Sequence, residues 1–190
     1  MRPEKKTALI KAAAQEFASR TYEEASLNRI IASCGLSKSS FYHVVDSKED
    51  LFSLVVSELS AAANRTWTGP EPAGFAERFW DRADSVWQEA LTTWPNSPEL
   101  TQLWHIVYAN PDNDAVAELA DRVRSWVREV LIIGRETAAV DRTCPLELQS
   151  LAVFSLLRTF DEWALTEAGD GSPDEAAAHQ FRLLKRLLRP

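Results

Sequence analysis

The 190 residues are 45% hydrophobic and 26% charged, an ordinary globular balance that excludes a disordered chain. No apolar run reaches the roughly 18–20 residues of a membrane-spanning helix, and the stretch after Met1-Arg2-Pro3, broken by Lys11 and Glu16, lacks the apolar core of a secretory leader; the chain is expected in the cytoplasm, with no membrane partner. The net charge of −7 opposes nucleic-acid binding for the chain as a whole, but residues 1–50 hold eight Lys/Arg against seven Asp/Glu, so the acidity lies in the remainder.

In chain order, Leu9, Ile10, Ala13, Ala14 and Phe17 recur at helical spacing and predict an amphipathic helix from about Glu4 to Arg20. Ser26 is an N-cap for a second helix with an apolar face of Leu27, Ile30, Ile31 and Cys34, and Gly35 supplies the left-handed residue that stops it after about two turns. Ser37 caps a third short helix with Phe41 and Val44 or Val45 inward. A fourth helix starts in Asp46-Ser47-Lys48-Glu49, where Asp46 and Glu49 have capping-box spacing, and continues through Leu51, Phe52, Val55 and Leu59 to about Thr66.

Thr68-Gly69-Pro70-Glu71-Pro72 is the first strong breaker. Beyond it helices are expected at about 74–93, 98–109, 113–139, 145–168 and 173–188. Pro98, Pro145 and Pro173 each stand at or near a helix start, Ser172 with Glu175 has capping-box spacing, and Gly169-Asp170-Gly171 separates the last two helices. No segment alternates with period two, so the fold class is all-α with about nine helices.

A short helix from Ser26, a turn at Cys34-Gly35-Leu36 and a short helix from Ser37 form a helix-turn-helix pattern, whose second helix enters a major groove. That helix, Ser37-Lys38-Ser39-Ser40-Phe41-Tyr42-His43, offers an outward face of hydroxyls, a cation and an imidazole for phosphates and base edges. The runs Phe17-Ala18-Ser19-Arg20-Thr21-Tyr22, Ser26-Leu27 with Ile30, Gly35 through His43, and Ser47-Lys48-Glu49 with Leu51 resemble the TetR family of bacterial transcription regulators over about residues 7–55. Thr21 stands where that family usually has Gly, Ile31 replaces a usual Ala, Ser39 a usual Gly and Val45 a usual Phe.

The resemblance implies a helix-turn-helix DNA-binding domain at residues 1–50, a helical ligand-binding and dimerisation domain at 51–190, and a homodimer built by the last two helices. Carried over by position, Ser26, Ser37, Lys38, Tyr42 and Lys48 are expected on the DNA backbone, and Ser39, Ser40 and His43 on base edges. Ser26 and Ser37 serve equally well as plain helix caps. Lys48 is unfavourable in the first turn of a helix, which argues for an outside reason such as a phosphate.

The rest of the chain shows no catalytic constellation. His43, His105 and His179 fall on separate predicted helices, and Cys34 and Cys144 lack metal-ligand spacing. The chain is therefore expected to be no enzyme, with no cofactor and no metal. Its aromatic residues concentrate beyond residue 79, with Trp80, Trp87, Trp94, Trp104, Trp126 and Trp163 among them. Large aromatics build both cores and apolar pockets. In the pocket reading Trp80, Trp87, Trp104, His105, Tyr108 and Trp126 surround a small, largely apolar or aromatic effector; in the other they are core. The last two helices are apolar around most of their circumference, which calls for a second covering surface. Phe154, Leu157, Phe160, Trp163, Phe181, Leu184 and Leu188 are expected in an interface with a second copy, the alternative being a monomer with an internal helix.

The functional expectation is a homodimeric repressor that binds a double-stranded DNA operator and is released by that effector. The rivals are an activator or co-regulator without a ligand and, from another class, a helical protein-interaction module.

Overall fold

The computed structural model describes residues 3–93, 96–167 and 173–190. Trp94, the Gly169-Asp170-Gly171 breaker and the Ser172 capping box lie outside the described residues. The fold is all-α, with nine α-helices and no strand among the described residues: α1 (Pro3–Ser19), α2 (Leu27–Ser33), α3 (Lys38–Tyr42), α4 (Lys48–Thr66), α5 (Phe79–Thr93), α6 (Pro98–Ala109), α7 (Asp114–Glu136), α8 (Leu146–Glu167) and α9 (Pro173–Leu188).

The chain divides into two compact units, one of residues 1–68 and 93–118, the other of 69–92 and 119–190. The first boundary falls on the Thr68-Gly69-Pro70 breaker. The first unit contains the whole of residues 1–50, and it also takes in α4 and α6, because α1 packs against both. Its core is Leu9, Phe17, Phe52, Val55, Leu103 and Ile106, all essentially inaccessible, with the Phe17 and Phe52 rings edge to face at 4.9 Å. Burying a side chain of this size supplies about 1.5–3 kcal/mol, and buried Ile30 and Ile31 on α2 and Phe41 on α3 hold these two helices, which are too short to be stable alone.

The second unit is built from α5, most of α7, α8 and α9. Phe75, Phe79, Val127, Leu131, Val140, Val153 and Phe181 form its interior. Gly134 permits a close approach there: a Cβ at this position would stand 2.5 Å from Val140 and 2.6 Å from Phe79.

Three helix boundaries differ from the sequence expectation for local reasons. The segment from residue 74 is not yet α-helix: Pro72–Phe75 form a short 3-10 turn that buries Phe75 against Phe79 and Trp126, and α5 starts at Phe79. Pro72 and Gly74 are both poor helix-interior residues. Helix α7 ends at Glu136 rather than about 139, because Ala138 takes a left-handed conformation (φ 56°) and the amides of Ala139 and Val140 both return to the carbonyl of Gly134. The cap of α4 is Ser47, not Asp46: its Oγ accepts the Asp50 amide at 3.0 Å and donates to the Asp50 carboxylate at 2.8 Å, so the capping pair sits one residue later.

Candidate nucleic-acid interface

The first unit presents a helix-turn-helix. Ser26 caps α2, its Oγ accepting the Arg29 amide at 3.5 Å. The Glu16 carboxylate on α1 accepts the Ser26 amide at 3.0 Å and Arg29 Nε at 2.8 Å. The Arg29 hydrogen bond, and then that of the Ser26 amide, hold the Glu16 carboxyl below the usual carboxylate range against the opposing effect of burial. Arg29 also donates to the Glu24 carbonyl at 2.8 Å. It is thus an internal brace that fastens α2 to α1.

Helix α2 ends in a complete Schellman turn. The Gly35 amide donates to the Ala32 carbonyl, the Leu36 amide to the Ile31 carbonyl, and Gly35 sits at φ 64°. Leu36 is buried beyond it. This turn aims α3. Ser37 caps α3, its Oγ accepting the Ser40 amide at 3.1 Å and donating to Ser40 Oγ at 2.9 Å. Phe41 is fully buried and anchors α3, and Val45 is buried after it, while Val44 is only half-buried.

At about 100° per residue, positions 38, 39, 42 and 43 span an arc of roughly 140° opposite the Phe41 anchor. Lys38, Ser39, Tyr42 and His43 are all exposed there, with Tyr42 at 52% despite its size. Its ring stands edge to face on Phe41 at 5.1 Å, which fixes its direction while leaving the phenol outward. The arc therefore offers one cation, an imidazole and two hydroxyls, and no carboxylate. Ser37 is exposed and Ser40 half-buried, and their hydroxyls engage each other. Ser26 is half-buried in its capping role.

Lys48 is half-buried, its ammonium donating to the Glu23 carbonyl at 3.2 Å and lying 4.7 Å from the Tyr22 ring centre. Tyr22 closes the family-like run 17–22, but nothing in the sequence assigns it a role of its own. Its ring also meets Phe52 edge to face at 5.3 Å. Burial, then a hydrogen bond to Glu49 and nearby carboxylates, push its phenol up to about 12. Its place in the family-like run was the available signal, and a single aromatic in the short connection between α1 and α2 carries no periodicity to show what it packs against.

The six aromatic and histidine positions expected around an effector do not converge within either unit. Trp104, His105 and Tyr108 belong to α6 in the first unit; Trp104 stacks on Tyr108 at 5.7 Å, and His105 is exposed. Trp80, Trp87 and Trp126 belong to the second unit, where each indole N–H donates to a backbone carbonyl: Trp80 to Ala139 at 3.0 Å, Trp87 to Ala177 at 3.1 Å and Trp126 to Pro70 at 2.8 Å. Two depressions of the second unit, of about 280 and 300 Å³, are lined respectively by Arg78, Asp81, Arg82 and neighbours and by Ile132, Arg135, Arg142 and neighbours, with no aromatic residue in either.

The expected dimer face is also redistributed. Phe160, Phe181, Leu184 and Leu188 are buried within the chain's own second unit, the first two against Trp87 at 6.1 and 5.9 Å. Phe154 and Leu157 are half-buried, and Trp163 is exposed. Among the described residues, the large exposed apolar side chains of α8 and α9 are Leu148, Leu151, Trp163, Leu183 and Leu187. The sequence shows that both helices are apolar on two faces; only the packing shows which face the chain covers for itself. No helix among the described residues is long and apolar enough to cross a membrane.

A sequence profile of the bacterial regulatory proteins of the tetR family matches residues 9–55. No curated protein matches the chain in sequence. Solved structures that match include a tetR-family transcription regulator from Shewanella sp. PV-4, described as putative (16% identity, 97% of each chain covered, TM-score 0.71). Others are reduced NemR of E. coli (17% identity, 97% of each chain, TM-score 0.65) and native NalD of Pseudomonas aeruginosa (18% identity, 100% of this chain and 98% of that one, TM-score 0.63). At these identities the likeness shows a common fold.

Proposed function

We propose, from the tetR-family match over residues 9–55, that the chain is a DNA-binding regulator of that family that represses transcription as a cytoplasmic two-fold dimer, released from its operator by a small, largely apolar or aromatic molecule. The observation that carries the reading is the α3 arc: Lys38, Ser39, Tyr42 and His43 stand outward on a helix seated by buried Phe41 and aimed by the turn at Gly35. Such a helix delivers its first residues to base edges while the preceding helix crosses the backbone. Tyr42, Lys38, Ser37, Ser26 and Lys48 serve the phosphates; His43, Ser39 and Ser40 serve base edges. Two copies would read half-sites about 34–36 Å or more apart. The exposed Leu148, Leu151, Leu183 and Leu187 support pairing through α8 and α9.

The test is binding to duplex DNA selected from a random pool, followed by fluorescence anisotropy across salt concentrations. Tyr42→Ala should weaken binding by roughly tenfold, and Lys38→Ala should weaken all duplexes alike while lowering the salt slope by about one. Equal binding by wild type and Tyr42→Ala would remove α3 from the interface. A chain that binds no duplex at any salt would instead be a helical protein-interaction module.

Repression fits the role of NalD, the secondary repressor of the MexAB-OprM multidrug efflux pump in Pseudomonas aeruginosa. The effector part of the reading rests on the aromatic richness of α5, α6 and α7. A second reading, an activator or co-regulator without a ligand, is favoured by the hydrogen-bonded, core-like settings of Trp80, Trp87 and Trp126. Tryptophan fluorescence during titration with apolar and aromatic compounds separates the two. A change coupled to loss of DNA binding supports the effector; silence across the panel supports the second reading.

A further inference from the structure

Both ends of the helix-turn-helix are fastened to one short turn, Asn110–Asn113, between α6 and α7. At the front end, the Tyr22 amide, four residues before the Ser26 cap, donates to Asn110 Oδ1. Asn110 is buried, and its Nδ2 donates in turn to the Ile106 carbonyl at 2.8 Å, so its carboxamide is engaged at both atoms and oriented from below. At the back end, Asn113 Nδ2 donates to the Glu49 carboxylate at 3.2 and 3.4 Å. Asn113 Oδ1 meanwhile accepts the Ala115 amide at 3.0 Å and so caps α7.

The two fastenings meet at Tyr22, which is hydrogen-bonded to Glu49, lies beneath the Lys48 ammonium and packs edge to face with Phe52. The segment between Glu23 and Lys48, α2 and α3 included, is therefore tied at both ends to the same four-residue turn, in addition to the Glu16–Arg29 brace and the buried Phe41 anchor. A groove-reading helix needs its orientation held to a fraction of an ångström, and side chains locked by buried hydrogen bonds are the means of doing so. A solvated surface pair would not need a buried carboxamide with both atoms engaged.

We propose that Asn110 and Asn113 are positioning residues for DNA binding: through the Tyr22 backbone and the Glu49 carboxylate they set the orientation of α3 and the location of the Lys48 ammonium. The inference rests on the DNA-binding reading above. Neither asparagine touches DNA in this account, and both act through the ends of the helix-turn-helix.

The test uses the full-length chain. Asn113→Asp keeps an oxygen to cap α7 but sets a carboxylate against Glu49. The double variant Glu49→Gln with Asn113→Asp reverses donor and acceptor across the same pair and restores the bond. Two readouts are taken: amide hydrogen exchange over residues 20–50 without DNA, and affinity for the selected duplex. Asn113→Asp is expected to speed exchange in α2 and α3 by roughly tenfold, leave α8 and α9 unchanged, and weaken duplex binding by a similar factor, with the double variant returning both toward wild type. Glu49→Ala, at an exposed position, is the companion variant if Asn113→Asp does not fold, and should act in the same direction. Unchanged exchange and affinity would overturn the proposal. So would a loss of protection spread evenly over the whole chain, which marks a merely structural role, or a double variant that restores neither readout. If the exchange result appears while wild type binds no duplex, the fastening stands and the DNA-binding reading fails.

Discussion

Two residues of the same backbone conformation carry opposite stability consequences. Gly35 at φ 64° has open space around it, so Gly35→Ala meets no neighbour and costs only the left-handed backbone of an L-residue, about 1–2 kcal/mol. Ala138 at φ 56° already carries that strain, and its methyl is exposed; Ala138→Gly should therefore stabilise by up to about 1 kcal/mol. Urea unfolding of the two variants should move the midpoints in opposite directions. Glu16 makes a pH-dependent contribution. Its carboxyl is held below the ordinary value of 4.5, first by Arg29, so its stabilising effect is complete above that value and fades as pH falls through the lowered one. The stability gap between wild type and Glu16→Gln should be constant from neutral pH down to about 5 and close at lower pH. A gap that persists to strongly acidic pH would show that Glu16 acts through packing instead of charge.

At the scale of elements, the helices were legible where a local signal ended them. Ser26, Gly35, Ser37 and the Ser97-Pro98 start are caps or stops whose chemistry acts within a few residues, and the structure uses each in that way. The shifted start of α5 was legible only in part: Pro72 and Gly74 disfavour helix locally, but the burial of Phe75 on Trp126 depends on a contact about fifty positions along the chain. Core and pocket aromatics could not be told apart in the sequence for the same reason: composition says that tryptophans are present, and packing alone says what each one touches. Trp87 shows the difference. It binds the Ala177 carbonyl, stacks on Phe181 and meets Phe160, so it ties α5 to α8 and α9. Trp87→Ala should cost about 3–5 kcal/mol in thermal or denaturant unfolding, as loss of a large packed side chain does. Near-wild-type stability would point to a cavity-lining tryptophan and favour the effector pocket. The proposed support of α3 was hidden as well: Asn110 and Asn113 flank Pro111-Asp112 in what reads as a plain connector, and their partners Tyr22 and Glu49 lie more than sixty positions away.

For the whole molecule, the acidic balance is compatible with the proposed DNA-binding role of residues 1–50, because this head is nearly neutral and its α3 arc carries Lys38 without an exposed carboxylate among its four residues. The exposed leucines of α8 and α9 argue for a pair of such heads. Leu151→Glu with Leu187→Glu places charge on both helices, and sedimentation should then report a shift from dimer to monomer; an unchanged mass would take the pairing surface elsewhere. The most direct test of the account is selection of duplexes from a random pool by the full-length protein, run beside Tyr42→Ala. The expected result is enrichment of a two-fold symmetric sequence by wild type and its loss in the variant. Enrichment of no sequence, or the same enrichment by both proteins, would contradict the claim that α3 reads DNA.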